Sequence, residues 1–405
     1  MGEIIQKEKP EGIKRYSFYE LRQLFQNVGI KVVKRGLFVL GGTLITVSSF
    51  GDIQDSIDSV SALNGGVVSL VTKTYNANAN ITIASNVSLE MNGSIIDFGG
   101  GAFQMLIEGS DAYSTGTLSV NYGSGSVTGS GTTWTAAMVG RSILIGDYWY
   151  EITARASNTA LTISSTFLAP NVTGVTYVIA TTTDAISISN GTLQNASGTL
   201  VKFRYTKFFT ISSVSTYNAA LSIDGDDSSG FEWLDGDIDD CVAGMTLDNV
   251  TFCVLNSYSI TNITGGTGMA LNKVTNTAMG LASFQVVTGV GLSFTNCFNF
   301  GFINFSIIEC SSHGIEFISG NSEIDIVSGY TDSCGGDGIK LTATSDDINI
   351  SLQKVKNCTG YGVNIAASTC DNNILVGVST ANNTAGALND LGTGTLKSAT
   401  VNNFS

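Results

Sequence analysis

Gly314-Ile-Glu-Phe317, Gly338-Ile-Lys-Leu341 and Gly362-Val-Asn-Ile365 are three copies of one phrase, in which a glycine precedes an apolar, a polar and another apolar residue. Close or relaxed copies begin at four more glycines, with spacings of 23 or 24 residues throughout: Gly244, Gly268, Gly291 and Gly386. Alternation of period two is typical of a short strand whose first and third residues after the glycine point inward. A fixed period of this length indicates a solenoid, because one repeat cannot bury its apolar face alone. The sequence therefore predicts an all-β fold, a parallel β-helix of about 23–24 residues per coil.

The composition agrees with this fold and limits the possible functions. The chain has 405 residues with 47 glycines, 2 prolines and 13% charged residues, which suits many short strands joined by tight turns. The formal net charge is -14, but residues 1–36 hold eight Lys/Arg against four Asp/Glu, so the remaining chain carries -18. A surface with this much negative charge repels the phosphates of nucleic acids, which argues against nucleic-acid binding by residues 37–405. No run of about 20 apolar residues occurs, so we predict no membrane span.

The seven cysteines and the single histidine exclude several kinds of site. Cys310, Cys334 and Cys358 are 24 residues apart, so they are expected to stack in successive coils. A soft-metal or redox ladder is one interpretation, but buried cysteine behaves as a small hydrophobe, and we favour a stack of small core residues. His313 is the only histidine, which argues against His-based metal sites and Ser/His/Asp triads.

The N-terminal 49 residues differ from the rest of the chain. Residues 17–28 fit an amphipathic helix: Ser17 and Glu20 form a capping box, apolar residues fall on one face, and Gly29 provides the stop. Basic residues surround this segment. We predict that residues 1–49 form a docking segment, although a helix that merely covers the first coil is an equal alternative.

Residues 50–70 carry a pattern that extends beyond the repeats. The helix-like stretch 50–63 has an apolar stripe of Ile53, Ile57, Val60 and Leu63, and it is followed by Gly65-Gly66 and the strand-like run 67–70. This opening resembles that of pectate-lyase-like right-handed β-helix proteins, especially bacteriophage tailspikes. The resemblance implies a right-handed coil and a helix that caps the open end of the solenoid, protecting its edge from aggregation. Residues 50–110 would then comprise this capping helix and the first coils of the β-helix.

Residues 111–182 interrupt the solenoid, which then resumes over 183–405. Five or six alternating segments separated by turn residues predict a small inserted antiparallel β barrel or sandwich. Trp134 and Trp149 lie in this insertion. Either could stack on a sugar, but we favour a role in the core of the module.

One acid-rich stretch stands out as a candidate site. Eight carboxylates surround Trp233 within residues 224–240, and we expect Asp224 to form a column with Asp248 and Asn272. Paired carboxylates could cleave a glycosidic bond, clustered oxygens could hold Ca²⁺, or the stretch could be a solvated acidic surface, which we favour. No other cofactor is expected. The candidate catalytic residues are Asp224, Asp226, Asp227, Glu232, Asp235 and Asp237, with Trp233 as the candidate glycan-binding residue.

The resemblance also has limits. Similarity to pectate lyases would require Ca²⁺-binding Asp with a catalytic Arg or Lys in a matching motif, and similarity to polygalacturonases would require Gly-His-Gly and Arg-x-Lys. Ser312-His313-Gly314 is only a partial match, so pectin-degrading activity is not implied.

The function implied by the tailspike resemblance is that of a phage virion spike. Such a protein would dock to other virion proteins through residues 1–36, bind host cell-surface polysaccharide through its β-helix, form a homotrimer, and lie outside the cell on the virion. Two alternatives remain open: a glycan depolymerase of the glycoside hydrolase type, and a purely structural or decorative virion protein.

Overall fold

The computed structural model of the protein describes residues 43–398 and the backbone of 402–404. A parallel β-solenoid of about 15 turns forms the body, and one antiparallel module is inserted into it. This confirms the predicted all-β, right-handed parallel β-helix. The predicted helix over residues 17–28 lies outside the described residues. The division into four domains at the expected boundaries stays a prediction.

The solenoid opens with a strand and the capping helix. Helix α1 (Gly51–Ala62) buries Ile53, Ile57 and Val60 completely against the first strands. Leu63, expected on the same stripe, is 60% exposed because the helix ends one residue earlier. The strands of this part are β1 (Thr43–Val47), β2 (Gly66–Leu70), β3 (Thr74–Asn76), β4 (Ile81–Thr82), β5 (Val87–Asp97) and β6 (Met105–Glu108).

The insertion is an eight-stranded antiparallel sheet in the order β13-β8-β9-β12-β11-β10-β14-β7. It has its own core, in which the buried Trp134 donates a hydrogen bond from its indole N–H to the Tyr177 hydroxyl at 2.8 Å. Trp134 is therefore a core residue, as predicted. The strands are β7 (Ser110–Tyr113), β8 (Thr117–Val120), β9 (Ser126–Ser130), β10 (Ser142–Ile145), β11 (Tyr148–Ser157), β12 (Ala160–Ile163), β13 (Val172–Val175) and β14 (Val178–Thr181), with one 3-10 turn, Ala136–Met138.

After the insertion every strand pairs in parallel with the equivalent strand of the next coil. The first two strands are long and turn through several corners: β15 (Thr183–Arg204) and β16 (Thr206–Asp239). The remaining ones are β17 (Ala243–Thr251), β18 (Val254–Ile263), β19 (Met269–Asn272), β20 (Thr275–Val287), β21 (Leu292–Thr295), β22 (Phe298–Cys310), β23 (Ile315–Ser319), β24 (Asn321–Val327), β25 (Tyr330–Asp332), β26 (Ile339–Leu341), β27 (Ser345–Ser351), β28 (Lys354–Lys356), β29 (Tyr361–Ile365), β30 (Ile374–Val376), β31 (Ser379–Ala381), β32 (Gly386–Asp390), β33 (Leu396–Lys397) and β34 (Asn402–Phe404).

The repeat glycines are required by the close approach of successive coils. A Cβ atom on Gly314 would lie 2.6 Å from the carbonyl oxygen of Gly338 and 2.4 Å from Cγ2 of Thr331. The residues one and three positions after the glycine are buried, as the alternation predicts; Ile315 and Phe317 are examples. The rings of Phe294 and Phe317 stack with centroids 4.8 Å apart, so the core is built from columns of like residues.

The three periodic cysteines lie in this core. Cys310, Cys334 and Cys358 are each 1% exposed and carry free thiols. The contact with the Cys310 thiol, together with burial, raises the pKa of Cys334 to about 12, although the Cys358 thiol opposes the rise. This confirms the predicted stack of small buried residues.

Candidate functional site

The candidate site lies on the outward side of the strand column that carries the inserted module. Because side chains alternate across a strand, Asp224 and Asp226 both face outward from β16, on either side of the inward Gly225. In the register of the solenoid, Lys202 lies beside Asp224, and Arg204 lies beside Asp226. Asp226 in turn pairs with Asp248 of the following coil.

We call six of these residues the foot cluster, since they lie at the foot of the inserted module. They are Lys202, Arg204, Asp224, Asp226, Asp227 and Asp248. The insertion leaves the solenoid just after Glu108, which pairs with Arg204, and returns at Thr183, whose hydroxyl donates to the Glu108 carbonyl at 2.8 Å. The module therefore rises directly beside the cluster.

Arg204 holds the carboxylates of the cluster together. Its Nε lies 2.8 Å from Oδ2 of Asp226, and its guanidinium donates to Oδ2 of Asp227 at 3.4 Å. Asp227 occupies a corner with φ of 42° and is 9% exposed, and its Oδ1 accepts a hydrogen bond from the Asn249 amide at 2.7 Å. Lys202 forms an ion pair with Glu108 at 3.4 Å. Two cations thus face more carboxylates than they can neutralise.

This excess of negative charge changes the titration of two aspartates. Burial and then the neighbouring Asp227 raise the pKa of Asp226 to about 6, although Arg204 opposes the rise. Burial also raises the pKa of Asp224, against the opposing effect of Lys202 and Arg204. Asp226 can therefore carry a proton near neutral pH, which is the property of a general acid.

The backbone positions of these carboxylates are close to one another. The Cα atoms of Asp224 and Asp226 are about 7 Å apart along the strand, and those of Asp226 and Asp248 about 4.8 Å apart between coils. In glycosidases it is the two carboxyl groups, not the Cα atoms, that are about 5–5.5 Å apart in retaining enzymes and about 6.5–9.5 Å apart in inverting ones. The chemistry available at the foot cluster is hydrogen bonding to sugar hydroxyls and proton transfer.

The structure brings together only part of the predicted acid-rich stretch. Asp224, Asp226 and Asp227 belong to the foot cluster, whereas the other three candidates lie around successive corners. Glu232 accepts a hydrogen bond from Thr210 at 3.2 Å on the next face, Asp235 occupies the following corner with φ of 52°, and Asp237 accepts from Ser215 at 3.2 Å on the third face. Seventeen residues of a coil turn through several corners, so closeness in sequence does not make one site.

Two further expectations are corrected by the register. Trp233 is 1% exposed and lies at an inward position, with its ring 4.6 Å from that of Tyr258, so the prediction that it contacts glycan is wrong. The column with Asp248 and Asn272 contains Asp226, not Asp224. The reason is that the coil between Asp226 and Asp248 is 22 residues long, two fewer than the coil between Asp248 and Asn272.

Two kinds of feature are absent from the described part of the chain. Within residues 43–398, no three His, Cys, Asp or Glu side chains come together as a metal site, and Ca²⁺ binding stays an untested possibility. In the same part of the chain, no helix is long and apolar enough to cross a bilayer.

His313 is part of a separate and internally satisfied network. Its Nδ1 accepts a hydrogen bond from the backbone N–H of Asp337 at 2.9 Å, and its Nε2 lies 3.1 Å from Nζ of Lys340. Burial and the nearby ammonium lower the pKa of His313. Lys340 donates to Glu316 at 3.1 Å. His313, Glu316 and Lys340 therefore form polar contacts that join neighbouring coils.

Sequence reasoning missed a second surface feature beside the insertion. A depression of about 520 Å³ is lined by residues of three coils, among them Phe252, Asn276 and Asn299. The ring of Phe252 contacts that of Tyr148 from the insertion, with centroids 5.4 Å apart. The sequence feature that could have indicated this depression is a phenylalanine at a corner where the adjacent coils carry Gly or Asn. Only the register of the strands shows that these corner positions are equivalent.

Comparison with known proteins identifies the fold. No protein-family model and no curated protein sequence matches the chain. Among solved structures, the Streptococcus pneumoniae surface protein and adhesin PfbA aligns with a TM-score of 0.52 at 10% identity, over 89% of this chain and 99% of that one. An alpha-1,3-glucanase catalytic domain in complex with tetrasaccharides aligns with a TM-score of 0.50 at 9% identity, over 91% and 70% of the two chains. The tailspike of Pseudomonas phage phi297 aligns with a TM-score of 0.44 at 10% identity, over 82% and 68%. The structural neighbours of this chain thus include phage tailspikes and other right-handed parallel β-helix proteins, whose fold it has.

Proposed function

We propose that this protein is an extracellular glycan-binding β-helix, and specifically a spike of a phage particle that contacts host cell-surface polysaccharide. The observation that carries the proposal is the foot cluster itself. Asp226 is kept partly buried beside two other carboxylates with a raised pKa, an arrangement that works against stability and therefore favours a role in function.

The surroundings of the foot cluster support binding of a polyhydroxylated ligand. Carboxylates accept hydrogen bonds from hydroxyl groups, and Arg204 and Lys202 offer donors within the same surface. The wall of the inserted module stands beside them, so a ligand would be held on two sides. Two of the solved structures with the same fold are an adhesin and an enzyme domain bound to tetrasaccharides, which agrees with this ligand class.

Cleavage of the bound glycan is the second candidate function. It is favoured by one specific observation, the pKa of Asp226 near 6 beside the ionisable Asp224 and Asp248. In this scheme Asp226 would donate a proton to the leaving oxygen, and a neighbouring carboxylate would act as base or nucleophile.

An array of bacterial surface oligosaccharides tests binding, and a reducing-end assay on the best ligand tests cleavage. Replacing both Asp224 and Asp226 by Ala should weaken binding at least tenfold. The matched control replaces Asp235 and Asp237 by Ala, which removes the same charge from other faces and should leave binding unchanged. The Asn versions at positions 224 and 226 should abolish turnover but retain binding if the protein is an enzyme. Absence of binding to any surface glycan would refute the proposal and leave the structural or decorative virion role.

Docking to the particle and trimer formation belong to the same proposal. The basic residues of segment 1–36 and the acidic remainder of the chain suggest that these parts have different partners. Mass measurement in solution, with and without residues 1–36, tests whether the chain is a homotrimer and whether that segment is needed. Particles that lack the segment should lose the protein, and particles that retain infectivity without the protein would contradict the spike role.

A further inference from the structure

The second surface feature beside the insertion has the properties of a separate ligand site. We call it the corner pocket, and its volume is about 520 Å³, within the range of small-molecule sites. It is lined chiefly by Phe252, Val254, Asn276, Ala278, Asn299 and Gly301. None of these side chains is charged.

The pocket exists because small residues replace larger ones in one outward column. The column passes through Glu232, Val254, Ala278, Gly301 and Asp325 in successive coils. At Gly301 a Cβ atom would meet no other atom within 4 Å, so open space lies above the backbone there. The floor of the pocket is therefore formed by Ala278 and Gly301.

An unusual aromatic residue forms one wall. Phe252 is 40% exposed and has φ of 56°, a left-handed conformation that bulky residues rarely adopt. The adjacent corner positions are Gly230, Asn276 and Asn299, which suit that conformation, whereas Phe208, two coils earlier at the same corner, has φ of 56° and is 70% exposed. What sets Phe252 apart is its place at the depression, where its ring contacts Tyr148 of the insertion.

Hydrogen-bonding groups follow this ring along the same corner column. Asn299 donates from its amide to Oδ1 of Asn276 at 2.7 Å, and Asn276 donates to Oδ2 of Asp147 in the β10–β11 turn at 3.3 Å. Oδ1 of Asn299 accepts no hydrogen bond within the described part of the chain, so the amide row ends in an open acceptor at the pocket. The Asp147 carbonyl also accepts from Thr251 at 2.9 Å, which fixes the turn of the insertion in place.

We infer that the corner pocket binds one uncharged sugar unit of a glycan, separately from the foot cluster. The C–H face of a pyranose matches the exposed ring of Phe252, and its hydroxyl groups match the amides and the open oxygen of Asn299. The absence of charged groups from the lining excludes electrostatic attraction for uronate or sulfate groups. The ligand class rests on the proposed function, but the pocket and its residues do not.

Two variants test the pocket from opposite directions. Phe252→Asn removes the wall but supplies a residue suited to the corner, so it should retain or raise the melting temperature while weakening binding at least tenfold. Gly301→Leu fills the floor where space is free, and should weaken binding equally without lowering the melting temperature. The control is Leu352→Asn, because Leu352 is also exposed, at 62%, and also has a positive φ of 52°, but lies at a different corner. It should bind as the wild type does.

The measurement is binding of the full chain to an array of uncharged and uronate-containing oligosaccharides, followed by titration with the strongest uncharged ligand. Preference for uncharged ligands, with loss of affinity in both pocket variants, supports the inference. Wild-type affinity in either pocket variant, or binding of uronates alone, overturns it. If Asp224/Asp226→Ala weakens binding and the pocket variants do not, the inference fails while the proposed function stands. The converse result supports the pocket and refutes the foot cluster as the binding surface.

Discussion

Asp226→Asn should make the protein more stable at neutral pH and leave its stability unchanged in acid. The carboxyl has a pKa of about 6 in the folded chain against an ordinary value of 3.8. Between these values the folded chain binds more protons than the unfolded chain, so wild-type stability falls as pH rises through this range and is constant above it. The full difference corresponds to about 3 kcal/mol.

The expected gain is smaller than that limit. The Asp226 side chain is 30% exposed and loses its ion pair with Arg204 on substitution, so we expect a gain of about 1–2 kcal/mol at about pH 7. At about pH 2.5 the wild-type carboxyl is protonated in both states, and the two proteins should unfold at the same denaturant concentration.

Urea unfolding of the wild type and the variant at several pH values measures this difference. The control is Asp237→Asn, which removes one exposed carboxylate from another face of the solenoid. A variant that is less stable than the wild type at neutral pH would refute the reasoning, as would a difference that stays constant from acid to neutral pH. The first result would mean that Arg204 stabilises the ionised carboxylate by more than burial costs, and the second that the opposing effects on the pKa cancel.

Three further predictions test separate parts of the structure. Gly314→Ala should lower the free energy of unfolding, measured by urea titration, by about 1–3 kcal/mol, because its Cβ would overlap the next coil. The control is Gly301→Ala, where space is free, and it should change the free energy of unfolding by less than about 1 kcal/mol. An equal loss of stability in both variants would contradict the argument that the coils approach closely at Gly314. Trp233→Ala should lower the free energy of unfolding by about 3–5 kcal/mol, because the side chain is buried. Trp233→Phe should keep the glycan affinity of the wild type. Loss of binding in a Phe variant that remains stable would show that Trp233 contacts the glycan after all. Burial lowers the pKa of Lys207, so the stability of the wild type should rise with pH between that pKa and about 10.5. Lys207→Met should flatten this rise. Melting temperatures of the two proteins that change with pH in the same way would contradict the prediction.

The coil that runs from Asp226 to Phe252 shows why the candidate site could be predicted only in part from the sequence. The sequence identified Asp224, Asp226 and Asp227 as candidates, and the structure places all three in the foot cluster. It could not show that Asp248 pairs with Asp226, because the 22-residue coil differs from the 24-residue repeat used to align the columns. A shift of two residues keeps every side chain on the correct side of the sheet, so the hydrophobic pattern contains no signal of the error.

The sequence alone determined the solenoid, its capping helix and its antiparallel insertion. Each of these depends on local alternation, turn residues and a repeated spacing that can be counted along the chain. Only the tertiary structure decided which side chains meet, because neighbours in a solenoid lie one coil apart and the corners separate residues that are adjacent in sequence. That is why Glu232, Asp235 and Trp233 fall away from the foot cluster, and why Phe252 and Asn299, 47 residues apart, line one pocket.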